Sequence, residues 1–322
     1  MTSTSTDTGE RDAAGTGTIL LMVDQPLLRE KLSRAAPLLG LDAMDGPAAR
    51  QSVRVLVTGG MMPLDPALLD SLPNLGLIAL PAAGYAGIDL DDARRRGLFV
   101  TNVGAVNHED VADAAIGMMI ALARGLVAGA RRLRAGQWAT GRTPPSHSLR
   151  ARRVGIVGMG SIGQAIAERL QVFGCPIGWW GPTPKPDLRW PRAENLRSLA
   201  ERSDILFVSA VATPQTRHLI DRAIIDRLGS DGLIVNVARG SLIDEDALIA
   251  ALREGRIGGA ALDVFETEPT PPERWPDSDR LLLTPHLAGV THESLDVMFE
   301  TVTGIVAGYL EGRMPADPLC AP

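Results

Sequence analysis

Three ionisable side chains follow three apolar stretches in the second half of the chain. Arg239, Glu268 and His286 come, in this order, after GLIVNVA, GGAALDVF and RLLLTP, and Asp263 lies near the end of the second stretch. Each stretch has the length and the apolar character of a buried strand. Because ligands of an open parallel sheet bind beyond the carboxyl ends of its strands, we expect these side chains to lie around one crevice.

These residue types fit the reduction of a keto acid. An imidazole beside a carboxylate is favoured in its protonated form, so His286 next to Glu268 would donate a proton near neutral pH. The guanidinium of Arg239 offers a planar pair of donors to a carboxylate or to a polarised carbonyl. Alone, each residue is explained equally well as a turn or loop residue. Together, beside a dinucleotide-binding turn, they indicate a catalytic site.

A glycine-rich turn lies upstream, in VGIVGMGSIGQAIAERL. Gly158, Gly160 and Gly163 have the spacing G-x-G-x-x-G, directly after an apolar strand and at the start of a helix. The first glycine permits the tight turn, the second lets the backbone approach a pyrophosphate, and the third permits close packing of helix and strand. The helix N terminus at Ser161 and Ile162 favours an anion. The motif therefore predicts a dinucleotide site.

The acidic residue that usually selects NAD is missing. In such a domain the next strand ends in an Asp or Glu that binds the ribose hydroxyls, but here the strand PIGWW is followed by Gly181. A glycine does not repel a 2′-phosphate, and Thr183, Lys185 and Arg189 supply donors and positive charge. We therefore predict that NADP(H) is preferred and that NAD(H) is possible. The alternative is an ordinary exposed loop that carries charged residues.

Composition excludes several classes of protein. The chain has 322 residues, of which 45% are hydrophobic and 22% charged, so it is long and apolar enough for two globular domains. A net charge of −6 argues against a general nucleic-acid binder. Two cysteines without metal spacing suit a reducing compartment. No stretch reads as a secretory signal or as a membrane span, so we predict a cytoplasmic protein without a membrane or nucleic-acid partner.

The distribution of apolar runs predicts an α/β protein with two doubly wound parallel sheets. Residues 1–17 are expected to form a disordered tail. Residues 18–103 and 288–322 are expected to form one domain, and residues 104–287 a complete dinucleotide-binding domain. The predicted elements of the first domain are strands at 18–24, 53–60, 75–84 and 97–102, a helix at 26–40 closed by Gly40, and a terminal helix that returns to this domain.

Two further predictions concern the second domain and the remaining histidines. Residues 109–136 are expected to form one long helix, followed by an exposed loop at 140–147. No metal-ligand cluster is found. The other histidines are expected to be structural, supporting or surface residues: His108, His147, His218 and His292.

Beyond residue 18 the chain resembles the D-isomer-specific 2-hydroxyacid dehydrogenases. The resemblance is carried by AAGYAGIDL, VTNVGAVNHEDVADAAIGMMIALAR, RRVGIVGMGSIGQAIA, TPQTRHLID, NVARGSLIDEDALIAALREGRIGGAALDVFETEP and TPHLAG. It implies a Rossmann domain inserted in a discontinuous, flavodoxin-like substrate domain, and a homodimer formed through the nucleotide domain. Trp138 would then reach the partner's active site, although a core position is an equal alternative.

The resemblance also implies roles for single residues. Arg239 would bind the substrate carboxylate and carbonyl oxygen, and His286 would be the acid/base with Glu268 as its partner. Asp263 would orient the nicotinamide carboxamide. Further contacts with the substrate would come from the backbone of Ala83 and Gly84, and with the cofactor from Val237, Ala238, His286 and Gly289.

Within the family, the loop from Gly181 to Lys185 is similar to the NADP-using glyoxylate/hydroxypyruvate reductase branch. Ala82 and Ala86 depart from the family's usual glycine and acidic residue at the substrate loop, which leaves the keto acid open. Glu268 argues against the formate dehydrogenase branch. Two alternatives remain: a dinucleotide-responsive binding protein such as a corepressor, and a dehydrogenase for another substrate, such as a bulkier keto acid or phosphite.

Overall fold

The computed structural model describes residues 17–138 and 145–322. The predicted tail, apart from Gly17, and most of the predicted loop at 140–147 lie outside the described residues. The chain divides into two compact units, one formed by the residues up to Val106 together with His292–Pro322, and the other by Asn107–Thr291. The boundaries expected from the sequence lie three and four residues earlier, after 103 and after 287.

The first unit contains a five-stranded, all-parallel sheet with the order β2-β1-β3-β4-β5. This is the strand order of flavodoxin-like doubly wound folds. Its strands are β1 (Thr18–Leu21), β2 (Leu38–Leu39), β3 (Val53–Val57), β4 (Leu77–Leu80) and β5 (Phe99–Asn102). Its first helices are α1 (Pro26–Ser33), α2 (Pro47–Ser52), α3 (Pro66–Asp70) and α4 (Leu90–Arg95).

The second unit contains a six-stranded, all-parallel sheet with the order β7-β6-β8-β9-β10-β11. A single parallel bridge between Trp179 and Arg192 extends it beyond β7. The strands are β6 (Val154–Val157), β7 (Ile177–Trp180), β8 (Ile205–Val208), β9 (Leu233–Asn236), β10 (Gly259–Leu262) and β11 (Leu281–Leu283). The helices are α5 (His108–Ala123), α6 (Leu126–Arg134), α7 (Ser161–Val172), α8 (Leu196–Glu201), α9 (Arg222–Leu228) and α10 (Glu245–Glu254). The predicted α/β class with two doubly wound parallel sheets is confirmed.

Each sheet is covered on both faces, because alternate side chains of a strand point to opposite sides. In β8, Ile205 and Phe207 pack into one core cluster, whereas Leu206 and Val208 pack into the other. The sheet of the first unit is likewise flanked by two clusters. The last helix, α11 (His292–Leu310), packs in one of these clusters through Met298, Phe299, Val302 and Val306.

The helix predicted over residues 26–40 is wrong in its second half. Helix α1 ends at Ser33, and Leu38–Leu39 forms the short edge strand β2. Pro37 explains the difference, because a proline disfavours helical geometry at the preceding residue and cannot donate a backbone hydrogen bond. Its carbonyl instead accepts from the N–H of Ile19, at 3.0 Å, next to the pairing of β2 with β1.

The long helix predicted over residues 109–136 is also wrong. The segment forms α5 and α6, which are bent by 59° at Gly125. Gly125 has a φ of 60°, a left-handed conformation that glycine adopts without steric cost. In the described part of the chain, no single helix has the length and hydropathy of a membrane span, and only the bent pair α5 and α6 reaches both when counted together.

An ion pair fastens the starts of β6 and β8. The carboxylate of Asp204 accepts from the backbone N–H and the guanidinium of Arg153, each at 2.7 Å. The hydrogen bond from the Arg153 side chain is the main reason why the pKa of Asp204 lies below its usual range. A carboxyl whose pKa is lower in the folded chain stabilises the fold above its unfolded pKa, and this contribution disappears as the pH falls through the folded pKa.

We therefore expect Asp204→Asn to lower the free energy of unfolding at pH 7 by about 1 kcal/mol, since Arg153 is half exposed and the pair is partly screened. The difference from the wild type should shrink below about pH 4, where unfolded aspartates become protonated. Urea unfolding at both pH values measures this. The control is Asp24→Asn at an exposed position. A difference that does not depend on pH would contradict the role of the charge.

Candidate active site

The glycine-rich turn connects β6 to α7. Gly158 has a φ of 91°, and a Cβ there would lie 2.6 Å from the backbone of Ala210, so only glycine fits. A Cβ at Gly163 would lie 2.2 Å from the carbonyl oxygen of Gly158. A Cβ at Gly160, in contrast, would have no atom within 4 Å. Two glycines therefore permit close packing, and Gly160 faces open space.

This open space fits the pyrophosphate of a dinucleotide. Helix α7 begins at Ser161 after Gly160, and no side chain caps it. The first N–H groups of a helix, here those of Ser161 and Ile162, have no intrahelical acceptor and carry the positive end of the helix dipole. The turn thus combines uncapped donors with room for an anion, as the sequence motif predicts.

The loop after β7 lies beside this turn. A Cβ at Gly181 would have the Trp179 ring as its nearest neighbour, at 3.5 Å. The ammonium of Lys185 donates to the carbonyl oxygen of Met159, inside the glycine-rich turn, at 2.8 Å. Thr183 is exposed, and the guanidinium of Arg189 lies over the Trp190 ring at 4.7 Å.

Sequence reasoning missed a residue at this loop. The guanidinium of Arg192 donates to the carbonyl oxygen of Gly181 at 2.8 Å, although the two residues are eleven positions apart. The only signal in the sequence was one more basic residue shortly after Gly181. The pairing of this segment with β7 brings Arg192 to the loop, and such pairing is not visible in a local pattern.

Near the opposite edge of the sheet, after β10 and β11, the structure brings two of the three predicted catalytic residues, Glu268 and His286, into direct contact. Nδ1 of His286 lies 2.7 Å from Oε2 of Glu268, and Oε1 of Glu268 accepts from the backbone N–H of Phe265 at 2.9 Å. The His286 and Glu268 side chains are 39% and 32% exposed, so the pair is accessible to a small ligand. The imidazole is thus held by one ring nitrogen while the other remains for chemistry.

The segment that carries His286 is held by Asp263. This residue is 1% exposed, and its carboxylate accepts from the Thr284 hydroxyl at 2.6 Å and from the N–H groups of Leu287 and Ala288, each at 2.9 Å. Its backbone carbonyl accepts from the N–H of His286 at 2.8 Å. The sequence did not reveal this role: the three side-chain bonds show that Asp263 positions the loop after β11.

Arg239 lies at the end of β9. The Asn236 side chain holds the turn by accepting from the N–H of Ala238 and donating to the carbonyl of Arg239, both at 3.0 Å. Burial lowers the pKa of Arg239, and the negative charge of Glu268 opposes this effect. The negative charge of Glu268 thus acts on Arg239, and Glu268 also contacts His286, so it interacts with both other predicted catalytic residues.

Close packing joins the Arg239 turn to the segment that carries Glu268. A Cβ at Gly240 would lie 1.8 Å from the backbone carbon of Phe265, so no larger residue fits there. Val237 and Ala238, expected at the cofactor, are buried in the same turn. Gly289, also expected at the cofactor, accepts a hydrogen bond from Asn107 at 3.4 Å.

Ala83 and Gly84 belong to the first unit, in the loop after β4. The carbonyl of Ala83 accepts from the Asn102 side chain at 2.6 Å, and a Cβ at Gly60 would lie 1.7 Å from the oxygen of Gly84. Within residues 17–138 and 145–322, neither N–H group donates a hydrogen bond. The loop is therefore held through its carbonyl groups, and the N–H groups of Ala83 and Gly84 remain unused.

A second pair of His and Glu lies in the same unit as His286. Nε2 of His218 is 3.2 Å from Oε1 of Glu266, and Arg217 binds the same carboxylate oxygen. Burial would raise the pKa of Glu266, but the hydrogen bonds from His218 and Arg217 outweigh it and lower that pKa. In the described part of the chain, no group of three or more His, Cys, Asp or Glu side chains is arranged to hold a metal ion.

The fold and this site are those of an NAD(P)-dependent oxidoreductase. Residues 116–288, more than half of the chain, match the family model of the D-isomer specific 2-hydroxyacid dehydrogenase NAD binding domain. The chain belongs to this family and is an NAD(P)-dependent 2-hydroxyacid dehydrogenase, which confirms the resemblance seen in the sequence.

Individual relatives agree with this assignment. The chain is 40% identical over 270 residues to a glyoxylate/hydroxypyruvate reductase of Arabidopsis thaliana, covering 84% of this chain and 86% of the relative. It is 38% identical over 272 residues to a hydroxyphenylpyruvate reductase of Plectranthus scutellarioides, covering 84% and 86%. The NADPH-dependent glyoxylate/hydroxypyruvate reductase of Sinorhizobium meliloti, solved with NADP and malonate, superposes with a TM-score of 0.86 at 33% identity, covering 94% and 97%.

Asp263→Asn tests the positioning role of the buried carboxylate. An amide group in place of one oxygen cannot accept, so at least one buried donor loses its partner. We expect the free energy of unfolding to fall by about 2–3 kcal/mol, and kcat to fall because the His286 segment is no longer held. Denaturant unfolding and steady-state rates measure the two effects. Asp231→Asn, at an exposed position, is the control. Wild-type stability of Asp263→Asn would show that the carboxylate does not hold the loop.

Proposed function

We propose that the protein reduces a small 2-keto acid, glyoxylate or hydroxypyruvate, to the 2-hydroxy acid, with NADPH preferred over NADH. The observation that carries this proposal is the 2.7 Å contact between His286 and Glu268, within the electrostatic reach of Arg239. The relatives in Arabidopsis and Sinorhizobium named as glyoxylate/hydroxypyruvate reductases support the choice of substrate, and the second, which is NADPH-dependent, supports the choice of cofactor.

Proton transfer is assigned to His286. When bound, the reduced nicotinamide supplies a hydride to the keto carbon. His286, with Nδ1–H donated to Glu268, presents Nε2–H to the carbonyl oxygen and donates that proton, so the carbonyl becomes a hydroxyl. The carboxylate of Glu268 accepts Nδ1–H and is itself held by the backbone N–H of Phe265, so it fixes the orientation of the imidazole ring. In the reverse direction neutral His286 accepts the hydroxyl proton.

Arg239 binds the substrate in this proposal. Its guanidinium is half-buried, so its attraction for a carboxylate is screened less than at an exposed site. The unused N–H groups of Ala83 and Gly84 support the expectation that this loop also binds a carboxylate. The contact of Asp263 with the carboxamide stays a prediction. Three bonds already occupy its oxygens, and a carboxylate offers about four acceptor positions.

The cofactor-binding residues are proposed on the geometry of the turn and its neighbours. The pyrophosphate would lie over Gly160, against the N–H groups of Ser161 and Ile162, with Gly158 and Gly163 shaping the turn. At the adenosine ribose, Gly181 leaves room for a 2′-phosphate, and Thr183 and Lys185 supply hydrogen-bond donors to it. At the nicotinamide, the expected contacts are Val237, Ala238, Asp263, His286 and Gly289.

Steady-state kinetics with matched variants test the proposal. Asn tolerates positive φ, which His286 and His218 both adopt, at 52° and 51°, so His→Asn keeps both backbones. We expect His286→Asn to lower kcat on glyoxylate and hydroxypyruvate by about 10²- to 10⁴-fold, and the control His218→Asn to retain turnover. NADPH should have a higher kcat/KM than NADH.

Three outcomes would contradict parts of the proposal. Near-full activity of His286→Asn would overturn the acid/base assignment. Turnover of 4-hydroxyphenylpyruvate alone would replace the substrate by a bulkier keto acid, as the Plectranthus relative suggests. Binding of NADPH without turnover of any keto acid would favour a dinucleotide-responsive binding protein.

We also propose a cytoplasmic homodimer formed through the dinucleotide-binding domain. Helix α6 exposes Leu126, Val127 and Leu133, and Trp138 is 80% exposed, which together form an apolar surface. Both cysteines are free, as suits a reducing compartment. Sedimentation equilibrium at micromolar concentration should give twice the chain mass, and Leu133→Glu should shift it toward the monomer. A monomeric wild type would contradict the dimer.

A further inference from the structure

The segment Pro191–Ala193 is fixed at the edge of the dinucleotide-binding sheet. The N–H of Trp179 donates to the carbonyl of Pro191 at 3.1 Å, and the N–H of Ala193 donates to the carbonyl of Trp179 at 2.7 Å. These two bonds form the parallel bridge that places Arg192 beside the carboxyl end of β7. In a dinucleotide-binding sheet this strand end lies at the ribose of adenosine.

The guanidinium of Arg192 is directed to the residue that replaces the ribose-binding acid. Its Nη2 and Nε donate to the carbonyl oxygen of Gly181 at 2.8 and 3.2 Å, and Nη2 lies 3.5 Å from the carbonyl of Pro182. The group also lies over the Trp179 ring, 5.9 Å from its centre. A cation is therefore held next to Gly181, the residue that replaces the carboxylate of an NAD-selecting domain.

One edge of this guanidinium remains unused. Within the described residues, Nη1 of Arg192 donates no hydrogen bond, and the side chain bonds only to backbone carbonyls, not to a carboxylate. The segment 181–197 carries four basic residues against two acidic ones, which gives a local charge of +2. An arginine with a free donor edge in a positive segment matches a phosphate group, which accepts through several oxygens.

Lys185 adds a second charge from the side of the glycine-rich turn. Its ammonium is tied to the carbonyl of Met159, so it lies between the pyrophosphate-binding turn and the loop after β7. Arg189 differs, because its guanidinium lies over the Trp190 ring and has no hydrogen bond to the loop among the described residues. Two cations, Arg192 and Lys185, are therefore anchored to backbone carbonyls at this loop.

We propose that Arg192 is the principal determinant of NADP(H) selectivity and binds the 2′-phosphomonoester of the adenosine ribose, with Lys185 as the second contact. The inference rests on the proposed function only in that NADP(H) is the preferred cofactor. It names a residue outside the Gly181–Lys185 loop as the source of the selectivity. The anchoring to Gly181 orients Arg192 before the ligand binds, which reduces the entropy lost on binding.

Calorimetric titration of the full chain with two probes tests this inference. The probes are 2′,5′-ADP, which carries the 2′-phosphate, and 5′-AMP, which lacks it. We expect Arg192→Gln to weaken 2′,5′-ADP about 10- to 100-fold, the range for charged hydrogen bonds, and to leave 5′-AMP unchanged. Lys185→Gln should have a smaller effect of the same kind, and Arg197→Gln, at an exposed position of the same segment, none. In kinetics, only the KM for NADPH should rise in Arg192→Gln.

The outcomes separate this inference from the proposed function. If the wild type binds both probes equally and uses NADPH and NADH equally, the proposed cofactor preference fails. If the wild type prefers 2′,5′-ADP and Arg192→Gln keeps the full preference, only the role of Arg192 is overturned. An equal loss of affinity for both probes would show that Arg192 merely holds the loop, which also overturns the inference. Partial recovery of 2′,5′-ADP affinity in Arg192→Lys would support a charge contact.

Discussion

A carboxylate removed from water is costly unless each of its oxygens is hydrogen-bonded, and Asp263 meets this condition with the residues that follow β11. One buried side chain thereby fixes the Thr284 hydroxyl and the backbone on the far side of His286. His286 itself has a positive φ, which is rare for a residue with a side chain and requires support from its surroundings. The orientation of His286, the proposed acid/base, thus depends on Asp263, which takes no part in the proposed proton transfer.

Close backbone approach is the second constraint on the site. Gly240 lets the turn after β9 pack directly on Phe265, whose N–H in turn holds the Glu268 carboxylate. Gly163 does the same for α7 on the glycine-rich turn. In both places the absence of a side chain lets two backbone segments pack directly together. This packing determines the positions of the neighbouring functional groups. Local glycines therefore control distances between residues that are far apart in sequence.

The two ends of the dinucleotide-binding unit differ in how their charges are compensated. At the proposed catalytic site, Glu268 contacts His286 and its negative charge acts on Arg239, so acidic and basic groups face one another. At the proposed adenosine site, Arg192 and Lys185 are held by backbone carbonyls, which orient a cation without neutralising it. A site of the first kind is suited to moving a proton, and one of the second kind to holding an anion.

The sequence by itself determined the α/β class, the glycine-rich turn, the family, and which residue types stand at the ends of β9, β10 and β11. These features depend on local pattern: apolar runs, glycine spacing and the residues that follow each strand. The two predicted helices that were wrong also failed for local reasons. Pro37 and Gly125 interrupt them, although their apolar periodicity continues past these residues.

Only the tertiary structure decided which residues meet. The bonds of Asp263 to the His286 segment span more than twenty residues, and the approach of Arg192 to Gly181 spans eleven. Sequence spacing does not encode such contacts, because they arise when separate strands align in one sheet and side chains from neighbouring segments share an edge. The residue types therefore indicate the chemistry of the site. The distances between those residues are set by parallel strand pairing and by the need to satisfy buried polar groups.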